Sequence, residues 1–196
     1  MLATIKKIWM RLLLRKAHYQ DACNKMEQLY LVHDPWNMAS EREQYRLKET
    51  ARVIKEEMGA VKTLLEIGSG EGHQSLFFKD VTDKLYGIDI SEKAVARAAK
   101  NCPDATFEVG DINSYQPPNG QKYDLVVACE ILYYLSDIAK AIDKLNGLGK
   151  KCLVSYFKAE FKNLDPFFNG IKNSRSRIIS YGALSWKIVW WESQKG

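Results

Sequence analysis

The sequence predicts an α/β fold built on a mostly parallel, doubly wound sheet. From residue 62 onward, short apolar runs alternate with helical segments, a pattern typical of parallel sheets covered by helices on both faces. Two β-rich runs that flank Gly182 predict a closing antiparallel hairpin at the C-terminal end. The first 60 residues have helical patterns and are expected to form N-terminal lid helices.

The length and composition favour a single domain. A chain of 196 residues with 46 % apolar side chains can bury a sizeable core without disulfides or metal. We expect N-terminal helices and a lid over 1–60, a ligand-binding α/β core over 61–156 and a hairpin region over 157–196.

The four cysteines stand far apart, without a C-x-x-C pair, and only three histidines accompany them. This pattern argues against a metal site and for reduced thiols in the cytoplasm. The apolar run over 8–14 is interrupted by Arg11 and is far shorter than the ~20 residues of a membrane span. No cleavage site of a secretory signal follows it. We therefore predict a cytoplasmic protein without a bound metal.

The net charge of +5 comes from the first 20 residues. This segment holds five basic residues and no acid, and without it 24 basic residues stand against 24 acidic ones. A domain that reads nucleic acid usually carries the positive field itself, so we expect no nucleic-acid partner. The segment reads as a basic amphipathic helix. It either packs its apolar stripe on the domain or attaches weakly to the inner face of a membrane.

Two further helices are predicted before the sheet. The first ends at the 33–36 segment, where a proline prevents smooth continuation. The second begins at Ser40, whose spacing to Glu43 fits a capping box, and it runs to about residue 58.

Five apolar runs are predicted to be strands, and they span 63–67, 84–89, 105–109, 123–128 and 151–156. Helices are predicted between them over 73–79, 91–101 and 136–148. The hairpin strands are expected over 177–181 and 186–191. Because ligands bind outside the carboxyl ends of such parallel strands, the residues at those ends are the candidates for function.

The first strand runs into a glycine-rich loop that opens a helix. Gly68, Gly70 and Gly72 alternate with other residues, and Glu66 precedes them. Glycines permit positive φ and a close approach of the backbone to a ligand. A dinucleotide-binding fingerprint would place a glycine at position 73, where this chain has His73. The spacing is therefore not that of a dinucleotide-binding loop.

Acidic residues end the next two strands. Asp89 ends the second strand, where a carboxylate can accept hydrogen bonds from both hydroxyls of a ribose. Asp111 follows Gly110 at the end of the third strand. A strand-end acid can also serve only as a helix cap, and this is the alternative for Asp89 because Ser91 follows it. Acids at the ends of three successive strands favour the ligand-binding interpretation.

The E-x-G-x-G-x-G loop, followed by Asp89 and Gly110-Asp111, resembles class I S-adenosylmethionine-dependent methyltransferases. The resemblance implies a Rossmann-like fold and S-adenosyl-L-methionine as cofactor, with S-adenosyl-L-homocysteine as product. It places the loop near the methionine and ribose parts, Asp89 on the ribose, and Asp111 with the next backbone N–H on the adenine. The cofactor-binding residues implied at the three strand ends are Glu66, Gly68, Ser69, Gly70, Gly72, Asp89, Ile90, Asp111 and Ile112.

The exit of the fourth strand, over 128–135, would face the transferred methyl group. It has neither an N/D-P-P-Y/F/W run, which marks base or glutamine amino groups as acceptors in resembled enzymes, nor a Pro-Cys nucleophile. We assign a catalytic role beside the cofactor to Glu130, whose carboxylate can bind an ammonium or hydroxyl group or take its proton. The alternative is a structural strand-end acid. At most one of Tyr133 and Tyr134 is expected in the site, and we assign Tyr134 to the sulfonium, with a core position as the alternative.

A closer resemblance covers about residues 30–156. The Asp34-Pro35-Trp36 segment and the E-I-L-Y-Y-L run from Glu130 resemble the small nodulation-type (NodS-like) N-methyltransferases, which act on an amino sugar. The resemblance places Trp36 and Arg46 in a lid over the cofactor, with Arg46 paired to its carboxylate. The first 20 residues and the tail from residue 157 have no counterpart in it.

The resemblance implies methyl transfer to an amine of a small molecule or glycan such as an amino sugar. One alternative is O-methylation of a sugar or lipid-linked glycan. The other is a non-catalytic module that only binds S-adenosylmethionine.

Overall fold

The computed structural model describes residues 23–193. Within this range the strands are β1 (Val61–Ile67), β2 (Thr82–Asp89), β3 (Thr106–Val109), β4 (Tyr123–Cys129), β5 (Gly149–Phe157), β6 (Arg175–Tyr181) and β7 (Leu184–Glu192). The α-helices are α1 (Cys23–Leu29), α2 (Glu41–Glu57), α3 (Ser75–Phe78), α4 (Glu92–Asn101), α5 (Ile138–Leu148) and α6 (Phe161–Phe168). Short 3₁₀ turns cover Pro118–Gly120, Leu132–Tyr134 and Lys158–Glu160.

The strands form one sheet in the order β3-β2-β1-β4-β5-β7-β6. Neighbouring strands among β1 to β5 pair in parallel, whereas β7 pairs antiparallel with both β5 and β6. The predicted α/β architecture, with its doubly wound parallel part and C-terminal hairpin, is confirmed. The strand order reverses at β1, between β2 and β4, and ligands bind in the crevice at such points.

The central strands bury side chains on both faces of the sheet. In β4, Leu125 and Val127 belong to the core on one face, and Val126 and Ala128 belong to the core on the other. Helices α2 and α3 cover the first core, and α5 and α6 cover the second. Burial on both faces explains why the sequence shows continuous apolar runs here instead of an alternating pattern.

Two helical segments differ from the prediction. Helix α3 is limited to Ser75–Phe78 because the chain turns after Phe78, whose carbonyl accepts from the Val81 amide at 2.9 Å, and enters β2. Helix α6 occupies 161–168, a segment to which the sequence pattern assigned no element.

The start of α2 differs from the predicted capping box. Ser40 flanks the helix, but its hydroxyl donates to the Asn37 carbonyl at 2.7 Å and accepts from no helix amide. Glu43 pairs instead with Arg46, whose Nε lies 2.8 Å from a carboxylate oxygen. Charge-assisted hydrogen bonds of this kind are roughly twice as strong as neutral ones. The capping-box prediction is therefore wrong, although the helix begins where the sequence placed it.

The C-terminal hairpin is fastened to α2 by polar contacts. Arg177 on β6 donates to Glu56 at 2.5 Å and to Glu57 at 2.7 Å. The Tyr181 hydroxyl donates to Glu41 at 2.9 Å. The hairpin and α2 therefore form one continuous wall at this end of the sheet.

The predicted basic helix over 1–20 lies outside the described residues, so both of its interpretations stay predictions. Between residues 23 and 193, no helix has both the length and the apolar character needed to cross a membrane.

Candidate functional site

A cavity of about 660 Å³ opens at the carboxyl ends of the parallel strands. Its walls come from the loops after β1, β2, β3 and β4, from α2 with the segment before it, and from the ends of β5 and β7. The predicted site residues that line it are Trp36, Arg46, Glu66, Gly68, Ser69, Gly70, Asp89, Ile90, Asp111, Ile112, Glu130 and Tyr134. The structure therefore brings together residues that the sequence spreads over about a hundred positions.

The glycine loop after β1 has a backbone that side chains would obstruct. Gly68 has a φ of +71°, and a Cβ there would lie 2.5 Å from Cγ2 of Ile131. Gly70 has a φ of +54°, and a Cβ there would lie 3.0 Å from the Tyr30 hydroxyl. Both conformations favour glycine. The loop can therefore pass close to a ligand with its backbone alone.

Gly72 has a different position from the other two glycines of the loop. It does not line the cavity, and a Cβ there would lie 3.1 Å from the Ala98 backbone in α4. Its lack of a side chain lets the loop pack closely on that helix. The assignment of Gly72 to the cofactor stays a prediction, and the structure gives this glycine a packing role beside α4.

Asp89 presents its carboxylate to both the glycine loop and the cavity. Oδ2 accepts from the Gly70 amide at 2.9 Å, and Oδ1 accepts from the Ser91 amide at 3.0 Å. The capping of α4 belongs to Ser91, whose hydroxyl accepts from the Ala94 amide at 3.2 Å. Burial raises the pKa of Asp89, and the two amides oppose that shift. Each oxygen keeps further acceptor capacity.

Glu66 lies at the end of β1 and is 2 % exposed. The Ser75 hydroxyl donates to its Oε2 at 2.5 Å, which ties the strand to α3. Burial raises the pKa of Glu66 to about 8 despite this hydrogen bond. The side chain is therefore mostly a neutral carboxylic acid at neutral pH.

Glu130 stands at the end of β4 in an unusual backbone conformation. Its φ is +60°, which is uncommon for a residue other than glycine and is found disproportionately at functional sites. Oε1 accepts from the Ser155 hydroxyl at 3.1 Å, and Oε2 accepts from the Tyr133 hydroxyl at 3.2 Å. Burial raises the pKa of Glu130, while the nearby Arg46 guanidinium opposes that rise.

Arg46 brings a buried positive charge to the cavity from α2. Its side chain is 3 % exposed and forms an ion pair with Glu43 at 2.8 Å. Its Nη2 also lies 3.6 Å from the sulfur of Met38. A guanidinium has five N–H donors, so the Glu43 pair leaves donors for an anionic group in the cavity.

Aromatic side chains form one side of the cavity. The Tyr134 ring lies 4.6 Å from the Tyr133 ring and 6.0 Å from the Trp36 ring, measured between centroids. Trp36 donates through Nε1 to the Tyr30 hydroxyl at 3.4 Å. Both Tyr133 and Tyr134 line the cavity, which corrects the prediction that at most one of them would do so. The two residues lie in the 3₁₀ turn over 132–134.

Residues 64–151 match the family model of a methyltransferase domain. Over this segment the chain is similar to a methyltransferase domain. Nodulation protein S of Sinorhizobium fredii is 29 % identical over 112 residues, which cover 55 % of this chain and 50 % of that protein. An uncharacterized methyltransferase of Bacillus subtilis, YcgJ, is 24 % identical over 149 residues, which cover 70 % of this chain and 58 % of that protein. The chain thus spans 50 to 58 % of the length of these curated relatives.

A solved structure resembles this chain over most of its length. The N-methyltransferase NodS from Bradyrhizobium japonicum, in complex with S-adenosylhomocysteine, matches with a TM-score of 0.72 and 17 % identity. The match covers 91 % of this chain and 100 % of that one. At 17 % identity the similarity shows the fold alone, and it confirms the predicted Rossmann-like fold. S-adenosylmethionine is the cofactor of this class of domain.

The structure also contains a polar cluster that sequence reasoning missed. Arg97 on α4 donates to Glu71 at 2.5 Å and to the Tyr30 carbonyl at 2.7 Å. Glu71 also accepts from the Asp34 amide at 2.7 Å. The cluster holds the segment before α2 against the glycine loop. Glu71 stands at an x position of the loop motif, so no motif signal marks it.

Asp34, Glu71 and His73 also place potential metal-ligating atoms within 4.8 Å of one another. Both oxygens of Glu71 already accept hydrogen bonds, one of them from the positively charged Arg97. A cation would have to compete with that charge. We therefore assign this group to holding the lid segment.

Proposed function

We propose that this protein transfers a methyl group from S-adenosylmethionine to an amine of a small molecule or glycan, such as an amino sugar. The observation that carries the proposal is the Glu130 carboxylate, which faces the cavity at the end of β4 and is oriented by Ser155 and Tyr133. A carboxylate in this place suits an ammonium group, which it can bind and then deprotonate.

The cavity fits the cofactor by the chemistry of its donors. The backbone at Gly68 and Gly70 leaves room that a Cβ would fill. The Asp89 oxygens keep lone pairs for the ribose hydroxyls, and Asp111 and Ile112 line the end of the cavity at β3, where the adenine would lie. The Arg46 guanidinium would hold the carboxylate of the methionine part.

The cofactor supplies a methyl group on a positively charged sulfur. The lone pair of the amine forms the N–C bond while the C–S bond breaks. The electron pair of the C–S bond stays with the sulfur. An amine must be neutral to attack, so the protein has to remove a proton from the bound ammonium ion. Glu130 takes this proton on a carboxylate oxygen and passes it to solvent. Burial raises the pKa of Glu130, which makes the carboxylate a stronger base than one in water.

Orientation of the amine adds to the rate. Tyr133 and Ser155 each donate to one oxygen of Glu130, so the carboxylate cannot rotate freely. The rings of Trp36, Tyr133 and Tyr134 line one side of the cavity next to this carboxylate. A fixed carboxylate beside an aromatic wall would hold the amine in the geometry for in-line transfer.

Release of S-adenosylhomocysteine tests the proposal with amine and alcohol pairs that share a carbon skeleton. Suitable pairs are glucosamine with glucose, and cyclohexylmethylamine with cyclohexylmethanol. We expect product above background with amines only. Release with the alcohols alone would show O-methylation instead. If calorimetry shows saturable binding of S-adenosylmethionine but none of the four compounds causes release of S-adenosylhomocysteine, the result would favour a non-catalytic module.

A further inference from the structure

The cavity extends beyond the part that suits the cofactor. Along the sheet, Asp111, Asp89 and the glycine loop stand at the ends of β3, β2 and β1. Past β4, the cavity continues over the ends of β5 and β7, which add Phe157, Leu184 and Trp186 to its lining. Adjacent strands lie about 4.8 Å apart, so this second half extends the cavity by about two strand spacings beyond Glu130.

The wall of this second half is apolar. Phe157 and Trp186 face each other across β5 and β7, with ring centroids 5.7 Å apart. Leu184 follows on β7, and Met38 lines the cavity from the segment before α2. None of these four side chains carries a charge or a hydroxyl, and methionine adapts its shape to irregular apolar partners.

Two polar side chains of the second half are engaged within the protein. The Tyr133 hydroxyl donates to Glu130, and Glu43 forms ion pairs with Arg42 at 3.1 Å and with Arg46 at 2.8 Å. Arg42 keeps further N–H donors, but the wall of Phe157, Leu184, Trp186 and Met38 offers a sugar hydroxyl no charged partner. A sugar ring placed against the apolar wall would lose hydrogen bonds to water without replacing them, and such unpaired buried hydroxyls weaken binding. A hydrocarbon ring loses nothing there and gains from the removal of apolar surface from water.

We propose that the acceptor is a primary amine attached to an apolar, ring-sized body, with Leu184, Phe157 and Trp186 holding the body and Glu130 holding the nitrogen. This inference rests on the proposed N-methylation and narrows its substrate class to apolar amines in preference to amino sugars. The methyl group is transferred to the amine nitrogen, and the displaced proton goes to Glu130.

The test compares cyclohexylmethylamine with glucosamine as acceptors for the full chain, by release of S-adenosylhomocysteine. We expect kcat/KM for cyclohexylmethylamine to exceed that for glucosamine by at least about 10-fold, since even one methylene in an apolar pocket contributes about that much. Ionisation cannot produce this preference. The hydroxyls of glucosamine make its ammonium ion lose a proton more readily, so ionisation by itself would favour glucosamine. An equal or higher value for glucosamine would overturn the inference and leave N-methylation standing.

A variant pair examines the wall itself. Leu184→Asn places an amide in the apolar wall, and Ile178→Asn makes the same kind of change on β6, at a side chain that is 56 % exposed. We expect Leu184→Asn to lower kcat/KM for cyclohexylmethylamine about 10-fold, and Ile178→Asn to leave it unchanged. Calorimetry should give both variants the S-adenosylhomocysteine affinity of the parent, which shows that Leu184→Asn is folded.

A second readout is independent of turnover. In the presence of saturating S-adenosylhomocysteine, cyclohexylmethylamine should bind the parent more tightly than it binds Leu184→Asn. Equal binding by the two proteins would contradict the assignment of Leu184 to the acceptor wall. If neither amine yields product although S-adenosylhomocysteine binds, N-methylation itself fails, and the narrower inference fails with it.

Discussion

Glu130 and Ser155 are joined by two hydrogen bonds that run in opposite directions. The Glu130 amide donates to the Ser155 carbonyl at 2.9 Å, and the Ser155 hydroxyl donates to Oε1 of Glu130 at 3.1 Å. The first bond extends the β4–β5 pairing by one residue past the end of β4, at the position where φ becomes positive. The direction of the carboxylate is therefore set by the sheet as well as by its side-chain partners.

Glu130→Gln is expected to lower turnover by about 10²–10⁴-fold, the range for loss of a general acid or base. The amide keeps one oxygen that can accept from Ser155 or Tyr133, and its NH2 group can donate to the other hydroxyl, so the side chain stays in place and the affinity for S-adenosylmethionine should stay the same. Release of S-adenosylhomocysteine and calorimetry measure the two quantities. Glu192→Gln, at an exposed position at the end of β7, is the control. Unchanged turnover in Glu130→Gln would assign Glu130 to structure alone.

Asp89→Asn is expected to weaken binding of S-adenosylmethionine by about 10- to 100-fold, because hydrogen bonds to charged groups contribute about 1.5–3 kcal/mol. The asparagine retains one oxygen for an amide donor but loses the charge and half of the acceptor capacity. The matched control is Asp83→Asn, an exposed aspartate on the same strand. Equal affinities of the two variants in calorimetry would argue that Asp89 only supports the loop.

Gly68→Ala is expected to abolish measurable cofactor binding, because its Cβ would lie 2.5 Å from Ile131. The comparison is Gly59→Ala. Gly59 has nearly the same φ, +72°, but open space around the added Cβ. Both variants carry the cost of a left-handed residue, about 1–2 kcal/mol, and only Gly68→Ala adds the steric conflict. Calorimetry with S-adenosylhomocysteine and thermal unfolding separate the two effects. Normal binding by Gly68→Ala would contradict the proposed close approach of the loop.

The stability of Glu66→Gln relative to the parent is expected to increase as the pH rises. In the folded state burial raises the pKa of Glu66 from 4.5 to about 8, so the folded state binds a proton that the unfolded state releases. The contribution of Glu66 to the stability of the parent is therefore greatest below pH 4.5 and falls up to pH 8, by at most about 1.4 kcal/mol per pH unit. The amide side chain of the variant does not titrate in this range. The stability of the variant therefore does not fall with pH for this reason.

Denaturant unfolding at pH 5 and pH 8 measures this difference. The stability of Glu66→Gln relative to the parent should be higher at pH 8 than at pH 5. Glu160→Gln, on the surface beside Asn163, serves as the control and should show no such trend. The same relative stability of Glu66→Gln at both pH values would show that the Glu66 carboxyl is ionised in the folded state.

The positions of the strands along the chain, and of the site acids at their ends, follow from local sequence patterns. Strands buried on both faces read as continuous apolar runs, and Glu66, Asp89 and Glu130 each stand where such a run ends. In a parallel sheet those ends share one edge, so positions along the chain are enough to predict that these acids meet. The family resemblance added Arg46 and Trp36, which no periodicity marks.

The surroundings of those acids depend on contacts between distant segments. Ser155 reaches Glu130 only because β5 pairs with β4, and Arg97 reaches Glu71 only because α4 packs beside the glycine loop. The acceptor wall arises from the antiparallel return of β7 beside β5, which brings Trp186 opposite Phe157. A strand of alternating side chains shows which residues share a face, but its register with a strand some 30 residues away is set by packing of the whole sheet. The part of the cavity that chooses the acceptor is therefore decided by the tertiary structure, because its residues become neighbours only when the sheet has formed.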